Sequence, residues 1–161
     1  MAKTNTGRTR AEKAVRSVAA TASRASAPRT RAARAAKSPK LPKSVAGAVS
    51  AARDKKAADI VVLDLRKASG FTDYFVICTG NNARQITAIA DAVTETLKKE
   101  YDERPALAEG IDKSEWVLLD YFNFVVHVFS RECRAFYDLE RLWGNADRYE
   151  FNDAESPAER L

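Results

Sequence analysis

The stretch EWVLLDYFNFVVHVF, residues Glu115 to Phe129, decides how this chain folds. It predicts two apolar strands, Glu115–Asp120 and Phe124–Ser130, joined by the very short turn Tyr121-Phe122-Asn123. A surface turn is normally small and polar because its backbone faces water. Aromatic rings beside this turn therefore indicate one of two arrangements: the rings fold back onto the core, or they are presented to a partner.

Apolar runs and helical periodicity predict the other elements of the domain. Further strands are predicted at Asp59–Leu65, Asp73–Thr79 and Pro105–Glu109. Helices are predicted at Ser44–Lys56 with Ser44 as the N-cap, from just after Asn82 to about Tyr101, and at Arg131–Trp143. This order predicts an α/β (α+β) fold, a single domain with a mixed five-stranded sheet flanked by helices.

Two of these elements carry more detailed expectations about packing. Val117, Leu118 and Leu119 are consecutive apolar residues, which indicates a central strand covered on both faces. The last helix offers four large apolar side chains for packing: Phe136, Leu139, Leu142 and Trp143.

Charge and composition divide the chain into a basic extension and an acidic domain. Residues 1–44 carry twelve Lys or Arg and one acid, a net charge of +11, whereas the remainder carries −6. The extension is rich in Ala, Arg, Ser and Thr and cannot bury enough apolar surface to offset its chain entropy. We therefore predict a disordered basic extension at 1–43, a folded domain at 44–148 and a C-terminal tail at 149–161.

Three roles for the basic extension stay open. It is an electrostatic match for RNA phosphates, it resembles an organellar transit peptide, and it could also be a solubilising arm without a ligand. No apolar stretch approaches ~18 residues, so we expect a cytoplasmic protein without a membrane span, or an organellar one if the extension is a transit peptide. A general RNA-binding domain is disfavoured because the positive excess is confined to the extension.

The chain offers few groups for catalysis. His127 is its only histidine, and a lone histidine in mid-strand is more often structural than catalytic. Without a secretion signal, Cys78 and Cys133 are expected to be reduced thiols. Asp138 and Glu140 have the spacing of a metal-binding carboxylate pair, but on a helix, where they face different directions. We therefore expect no catalytic residue, no metal and no cofactor.

The turn formed by Gly80, Asn81, Asn82 and Arg84 allows two interpretations. A glycine turn between a strand and a helix can bind an anion through free backbone N–H groups, with help from Arg84. Alternatively, Asn81 or Asn82 caps the helix. The anion-binding interpretation supports an alternative function, a nucleotidyltransferase-like nucleotide-binding enzyme. That enzyme also needs a metal-binding carboxylate pair, which no strand of this chain supplies.

Seven segments together carry a resemblance to a known family. They are Asp59–Arg66 (DIVVLDLR), Thr72–Gly80 (TDYFVICTG), the helix of Arg84 with Ile89-Ala90-Asp91, Glu109-Gly110, Trp116–Asp120 (WVLLD), Val126–Phe129 (VHVF) and Arg134–Trp143 (RAFYDLERLW). In this order and spacing they resemble the ribosomal silencing factor family, also called RsfS or Iojap-like. The resemblance covers about residues 45–148.

The resemblance implies a function and a fold. Members of the family are not known as enzymes. They bind the L-fourteen protein on the intersubunit face of the large ribosomal subunit, block joining of the small subunit and repress translation when nutrients are scarce. Their fold has a nucleotidyltransferase-like topology without the catalytic carboxylates. Family members also form homodimers off the ribosome, and a weak contact of the basic extension with ribosomal RNA is a further expectation.

The resemblance also implies a set of partner-binding residues. By position the leading candidates are Trp116 and Tyr121, with Asp120 and Asn123 beside them and Phe122 as a further candidate. Tryptophan and tyrosine give a large contact area at low entropic cost, although core packing is the alternative role of Trp116. Many members have Gly-Asp where this chain has Phe122-Asn123. Because phenylalanine takes a left-handed conformation poorly, Asn123 could adopt it instead, and the geometry of the turn stays open.

Overall fold

The structure is a computed structural model that describes residues 40–68 and 71–151. Its helices are α1 (Lys43–Asp54), α2 (Ala83–Tyr101), α3 (Arg131–Tyr137) and α4 (Leu139–Leu142). Its strands are β1 (Ala58–Asp64), β2 (Tyr74–Thr79), β3 (Leu107–Glu109), β4 (Trp116–Asp120), β5 (Phe124–Phe129) and β6 (Asp147–Phe151). The basic extension is predicted to be disordered, and its residues 1–39 lie outside the described ranges.

The strands form one mixed sheet in the order β3-β4-β5-β2-β1-β6. β2 and β5 run parallel, and every other neighbouring pair is antiparallel. The α/β class is therefore confirmed. β4 lies between β3 and β5 with Val117, Leu118 and Leu119 all buried, as expected for a central strand.

The sheet has six strands, one more than predicted. β6 pairs with β1, with Val62 opposite Tyr149, and it crosses the predicted domain end at residue 148. Its sequence DRYEF is mostly polar, and only alternate residues are partly buried, so no apolar run marked it as a strand. Tyr149 and Phe151 pack against the edge of the core, and the folded part continues to Phe151.

The main core lies between the sheet and the helices α1 and α2. The two helices pack so closely that a Cβ on Gly47 would lie 2.5 Å from Cε2 of Tyr101. Their buried residues meet alternate side chains of the central strands, including Val62, Val76, Val126 and Val128. Because strand side chains alternate, the intervening residues Phe75, His127 and Phe129 face the opposite side of the sheet.

Two helix predictions are wrong in detail. Ser44 is not an N-cap, because α1 already begins at Lys43 and Ala46 N donates to Pro42 O at 3.0 Å. The predicted helix Arg131–Trp143 breaks at Asp138, which has φ 46° and separates α3 from α4. The break lets Leu139 and Trp143 pack as expected, whereas the expected packing of Phe136 is wrong because its side chain is 80% exposed.

Candidate functional site

The β4–β5 hairpin separates the predicted partner-binding residues into two groups. Trp116 pairs with Phe129 at one end of the hairpin, and Asp120 pairs with Val125 at the other. Four strand steps of ~3.4 Å place the two ends roughly 14 Å apart. We call residues 120–123, with the adjoining loop 71–73, the turn end. We call Trp116 and Phe129, with Phe136 and Tyr137 of α3, the open end.

Tyr121 folds back onto the core at the turn end. Its ring is 5% exposed and stacks on Phe124 with 4.9 Å between centroids and 8° between planes. Burial raises the pKa of the Tyr121 phenol, and the Thr94 hydroxyl partly opposes this shift. The phenolic oxygen is buried without a hydrogen bond of ordinary geometry to any described residue. Of the two turn aromatics, Tyr121 is therefore part of the framework.

Phe122 is the aromatic residue that the turn presents. Its side chain is 75% exposed, and its backbone has φ 68°. Asn123 N donates to Tyr121 O at 2.9 Å, which makes a γ-turn centred on Phe122, of the kind that is rare and strained. Phe122, and not Asn123, therefore takes the left-handed conformation. The bulky residue takes it because the surrounding hydrogen bonds fix the turn.

Those hydrogen bonds come from both sides of the turn. Phe122 N donates to Oδ1 of Asp120 at 2.9 Å, and the Thr72 hydroxyl donates to Phe122 O at 3.2 Å. Asp73 N donates to Asn123 O at 2.9 Å. The loop before β2 thus holds the turn between β4 and β5, although the two segments are about fifty residues apart in sequence. Sequence reasoning missed Thr72, because nothing local marks a threonine as a partner of so distant a carbonyl.

Phe71 adds a second exposed aromatic residue to the turn end. Its side chain is 44% exposed, and its ring packs edge-on against the buried Phe75 with centroids 6.1 Å apart. Exposed Asp73 and half-exposed Asp120 flank the turn. The turn end therefore combines apolar rings with acidic neighbours. A large aromatic residue directly after the sequence Ser69-Gly70, a pair typical of turns, was the signal that could have identified Phe71.

At the open end the aromatic rings pack against one another. Trp116 is half-buried, stacks on Phe129 with 5.1 Å between centroids and contacts Tyr137 at 4.4 Å. Its Nε1 donates a hydrogen bond to Nδ1 of His127 at 3.1 Å. Phe136 remains 80% exposed beside Tyr137. The structure thus places Trp116 mainly in the framework, with only part of its ring at the surface.

His127 and Cys78 are buried in surroundings that keep both of them uncharged. Burial lowers the pKa of His127 to about 3 and raises the pKa of the Cys78 thiol to about 12. Because Nδ1 of His127 accepts from Trp116, we assign the imidazole proton to Nε2, which is buried without a partner among the described residues. A neutral histidine and a protonated thiol contribute packing rather than a nucleophile or base at neutral pH.

The Gly80–Arg84 turn caps α2. Gln85 N donates to Oδ1 of Asn82 at 2.8 Å, and Asn81 N donates to Oε1 of Gln85 at 2.7 Å. Nε2 of Gln85 donates to the carbonyls of Lys55 and Lys56, just after the end of α1. Asn82 therefore acts as the cap, one of the two predicted roles of this turn. The backbone N–H groups of Asn81 and Gln85, which an anion would use, are therefore already bonded. Arg84 is exposed.

A largely buried ion pair fixes α3 and α4 to the sheet. Arg134 Nη2 and Oε1 of Glu140 lie 2.5 Å apart, with each side chain 13% exposed. Arg134 Nη1 also donates to Asp59 O at 2.6 Å and to the Thr79 hydroxyl at 2.8 Å. Glu140 is therefore engaged with Arg134. Within residues 40–68 and 71–151, no three His, Cys, Asp or Glu side chains are grouped to hold a metal ion.

The helices in the described part of the chain are also too short or too polar to cross a membrane.

Comparisons with known proteins agree on one family. The family described as "Ribosomal silencing factor during starvation" matches residues 38–160. Ribosomal silencing factor RsfS of Halalkalibacterium halodurans is 42% identical over 103 residues, which are 64% of this chain and 87% of that protein. A Mus musculus protein named Mitochondrial assembly of ribosomal large subunit protein 1 is 33% identical over 97 residues, 59% of this chain and 42% of that protein.

A solved structure is also similar to this chain. A crystal structure of a protein from Chromobacterium violaceum has a TM-score of 0.63 and 32% sequence identity, and the match covers 75% of this chain and 100% of that chain. The chain therefore belongs to the ribosomal silencing factor family.

Proposed function

We propose that this protein binds the large ribosomal subunit through its L-fourteen protein, at the intersubunit face, and so blocks joining of the small subunit. The family membership supports this function, as does the mouse relative, whose name refers to the ribosomal large subunit. The single structural observation that carries the proposal is Phe122, a phenylalanine 75% exposed on a hydrogen-bonded turn within the predicted contact segment.

The chemistry of the turn end suits a basic ribosomal protein. Exposed aromatic rings that enter a partner's pocket dominate interface energetics, and Phe122 and Phe71 are the exposed rings here. Exposed Asp73 beside them complements positive charge on the partner. Residues 45–161 carry a net charge of −6, which increases the encounter rate with a basic surface.

The proposed mechanism is steric. The domain occupies a face that the small subunit must approach, so it represses translation without catalysis if its affinity competes with subunit association. The +11 extension adds a weak second contact with ribosomal RNA and so increases the effective concentration of the domain at its site. This action takes place in the cytoplasm, or inside an organelle if the extension is a transit peptide. Off the ribosome we propose a homodimer.

The test compares two exposed phenylalanines that lie at opposite ends of the hairpin. Phe122→Ala should weaken co-sedimentation with free large subunits about thirtyfold, the effect of losing an interface hot spot. It should also restore subunit joining in vitro. The matched control is Phe136→Ala, because Phe136 is as exposed as Phe122 but lies at the open end. Wild-type binding by Phe122→Ala, or a loss confined to Phe136→Ala, would contradict docking through the turn end.

A further inference from the structure

We infer that Asp120 and Thr72 are positioning residues, which hold the Phe122 turn in its left-handed conformation so that the ring is ready to dock. This inference rests on the proposed function, because docking is the reason for presenting the ring. It reassigns Asp120 from a charged contact with the partner to a residue that acts through the backbone of Phe122.

The conformation of Phe122 requires an external cause. A positive φ in a bulky residue is an outlier that persists only where the surroundings over-determine it. Tight hairpin turns place glycine at such a position because glycine has no Cβ. Here φ is 68° at a phenylalanine, so neighbouring groups must stabilise a backbone conformation that glycine would adopt without strain.

Asp120 supplies the first restraint. Its Oδ1 accepts the N–H of Phe122, two residues ahead, at 2.9 Å, which is the geometry of an Asx-turn. The same residue pairs with Val125 on β5 and with Leu107 on β3, so its backbone is fixed in the sheet. The carboxylate therefore anchors the N–H side of the γ-turn to a rigid strand end.

Thr72 supplies the second restraint from the other side. Its side chain is 5% exposed, and its hydroxyl donates to Phe122 O at 3.2 Å. The next two N–H groups, of Asp73 and Tyr74, donate to Asn123 O at 2.9 and 3.3 Å. The peptide groups on both sides of Phe122 are thus held in place, while the ring itself stays in solvent.

The consequence is a preorganised contact for one kind of partner. A ring that is already fixed loses little conformational freedom on binding, so more of its contact energy appears as affinity. Exposed Asp73 beside the ring favours a basic protein surface with an apolar pocket. An alternative role for Asp120, a direct ion pair with that partner, predicts a different response to Asp120→Asn, which keeps the acceptor oxygen but removes the charge.

Amide hydrogen exchange in the free protein tests the restraint without a ribosome. Asp120→Ala and Thr72→Val should speed exchange of the Phe122 and Asn123 amides about tenfold, because the bonds that fix the turn are lost. Asp120→Asn and Thr72→Ser keep the acceptor and the donor, so they should stay within about threefold of the wild type. Unchanged exchange in Asp120→Ala and Thr72→Val would overturn the inference.

Large-subunit affinity tests the consequence for docking. Asp120→Ala and Thr72→Val should weaken binding about tenfold, whereas Asp120→Asn should bind within about threefold of the wild type. If Asp120→Asn and Asp120→Ala lose affinity equally, the positioning role is overturned and Asp120 makes a charge contact instead. Because the exchange measurement needs no ribosome, it separates failure of the restraint from failure of the proposed function, which Phe122→Ala tests.

Discussion

The two ends of the β4–β5 hairpin use aromatic residues in opposite ways. At the open end, Trp116 stacks on Phe129 and Tyr137, and its indole N–H bonds to the buried His127. At the turn end, Phe122 is 75% exposed and is restrained through its backbone. One hairpin thus combines a packed framework with a presented ring, and composition alone does not distinguish the two.

The difference between the ends has an energetic counterpart. Burial of the Trp116 ring stabilises the fold, whereas the left-handed Phe122 costs of order 1–3 kcal/mol. Conformations of this kind concentrate at binding sites, where the surrounding structure maintains them. We therefore expect loss of the packed Trp116 ring to lower stability and loss of the exposed Phe122 ring to weaken binding.

Trp116→Ala should have the largest effect on stability. It removes the stacking on Phe129 and Tyr137 and leaves both nitrogens of His127 without a bond to the described residues. We expect the free energy of unfolding in urea to fall by about 3 kcal/mol. The matched control, Phe136→Ala, should change it by less than about 0.5 kcal/mol because that ring is exposed. A stable Trp116→Ala variant that no longer binds large subunits would break the distinction between the ends.

Lowering the pH should reduce the free energy of unfolding through His127, the histidine that Trp116 bonds at the open end. Its folded-state pKa of about 3 lies below the ordinary value of 6.5, so the unfolded chain takes up the proton first as the pH falls. The stability that this neutral histidine confers is complete above pH 6.5 and is lost progressively towards pH 3. Between pH 7 and 5 we expect a loss of about 2 kcal/mol in the free energy of unfolding.

The pH effect has an internal control. His127 is the only histidine in the chain, so His127→Gln should remove most of the change between pH 7 and 5, whatever its effect on stability at pH 7. Urea titrations at the two pH values measure both slopes. A wild-type protein with the same unfolding free energy at pH 7 and pH 5 would contradict a buried neutral histidine.

Most of the framework could be predicted from the sequence, because its signals are local. The apolar runs of β1, β2, β4 and β5 and the amphipathic pattern of α2 are each visible within a few residues. A capping asparagine, Asn81 or Asn82, follows in the same way from its place after a glycine turn, and Asn82 is the one that caps. Such features depend on neighbours along the chain, which is the information that a single sequence provides.

The remaining features depend on distant parts of the chain. β6 is a strand because β1 offers it an edge, although its own residues are largely polar. The break at Asp138 accompanies the burial of Leu139 and Trp143, and Trp143 packs against the distant Phe75 of β2. The conformation of Phe122 depends on Thr72, whose hydroxyl bonds a carbonyl about fifty residues away. Residue preferences local in sequence did not predict the backbone of Phe122. The same position is the one at which the proposed docking site requires an unusual backbone.

Phe122→Gly tests whether the turn end is strained, and its expected effect on stability is small. Glycine adopts a positive φ without strain, so the substitution should raise the free energy of unfolding by about 1 kcal/mol, even though the unfolded chain gains freedom. The same variant lacks the ring and should bind large subunits as weakly as Phe122→Ala. Asn123→Gly is the matched control: Asn123 does not have a positive φ, so glycine there should lower stability slightly. Thermal unfolding and co-sedimentation measure the two effects, and a Phe122→Gly protein less stable than the wild type would mean that the turn stores no strain.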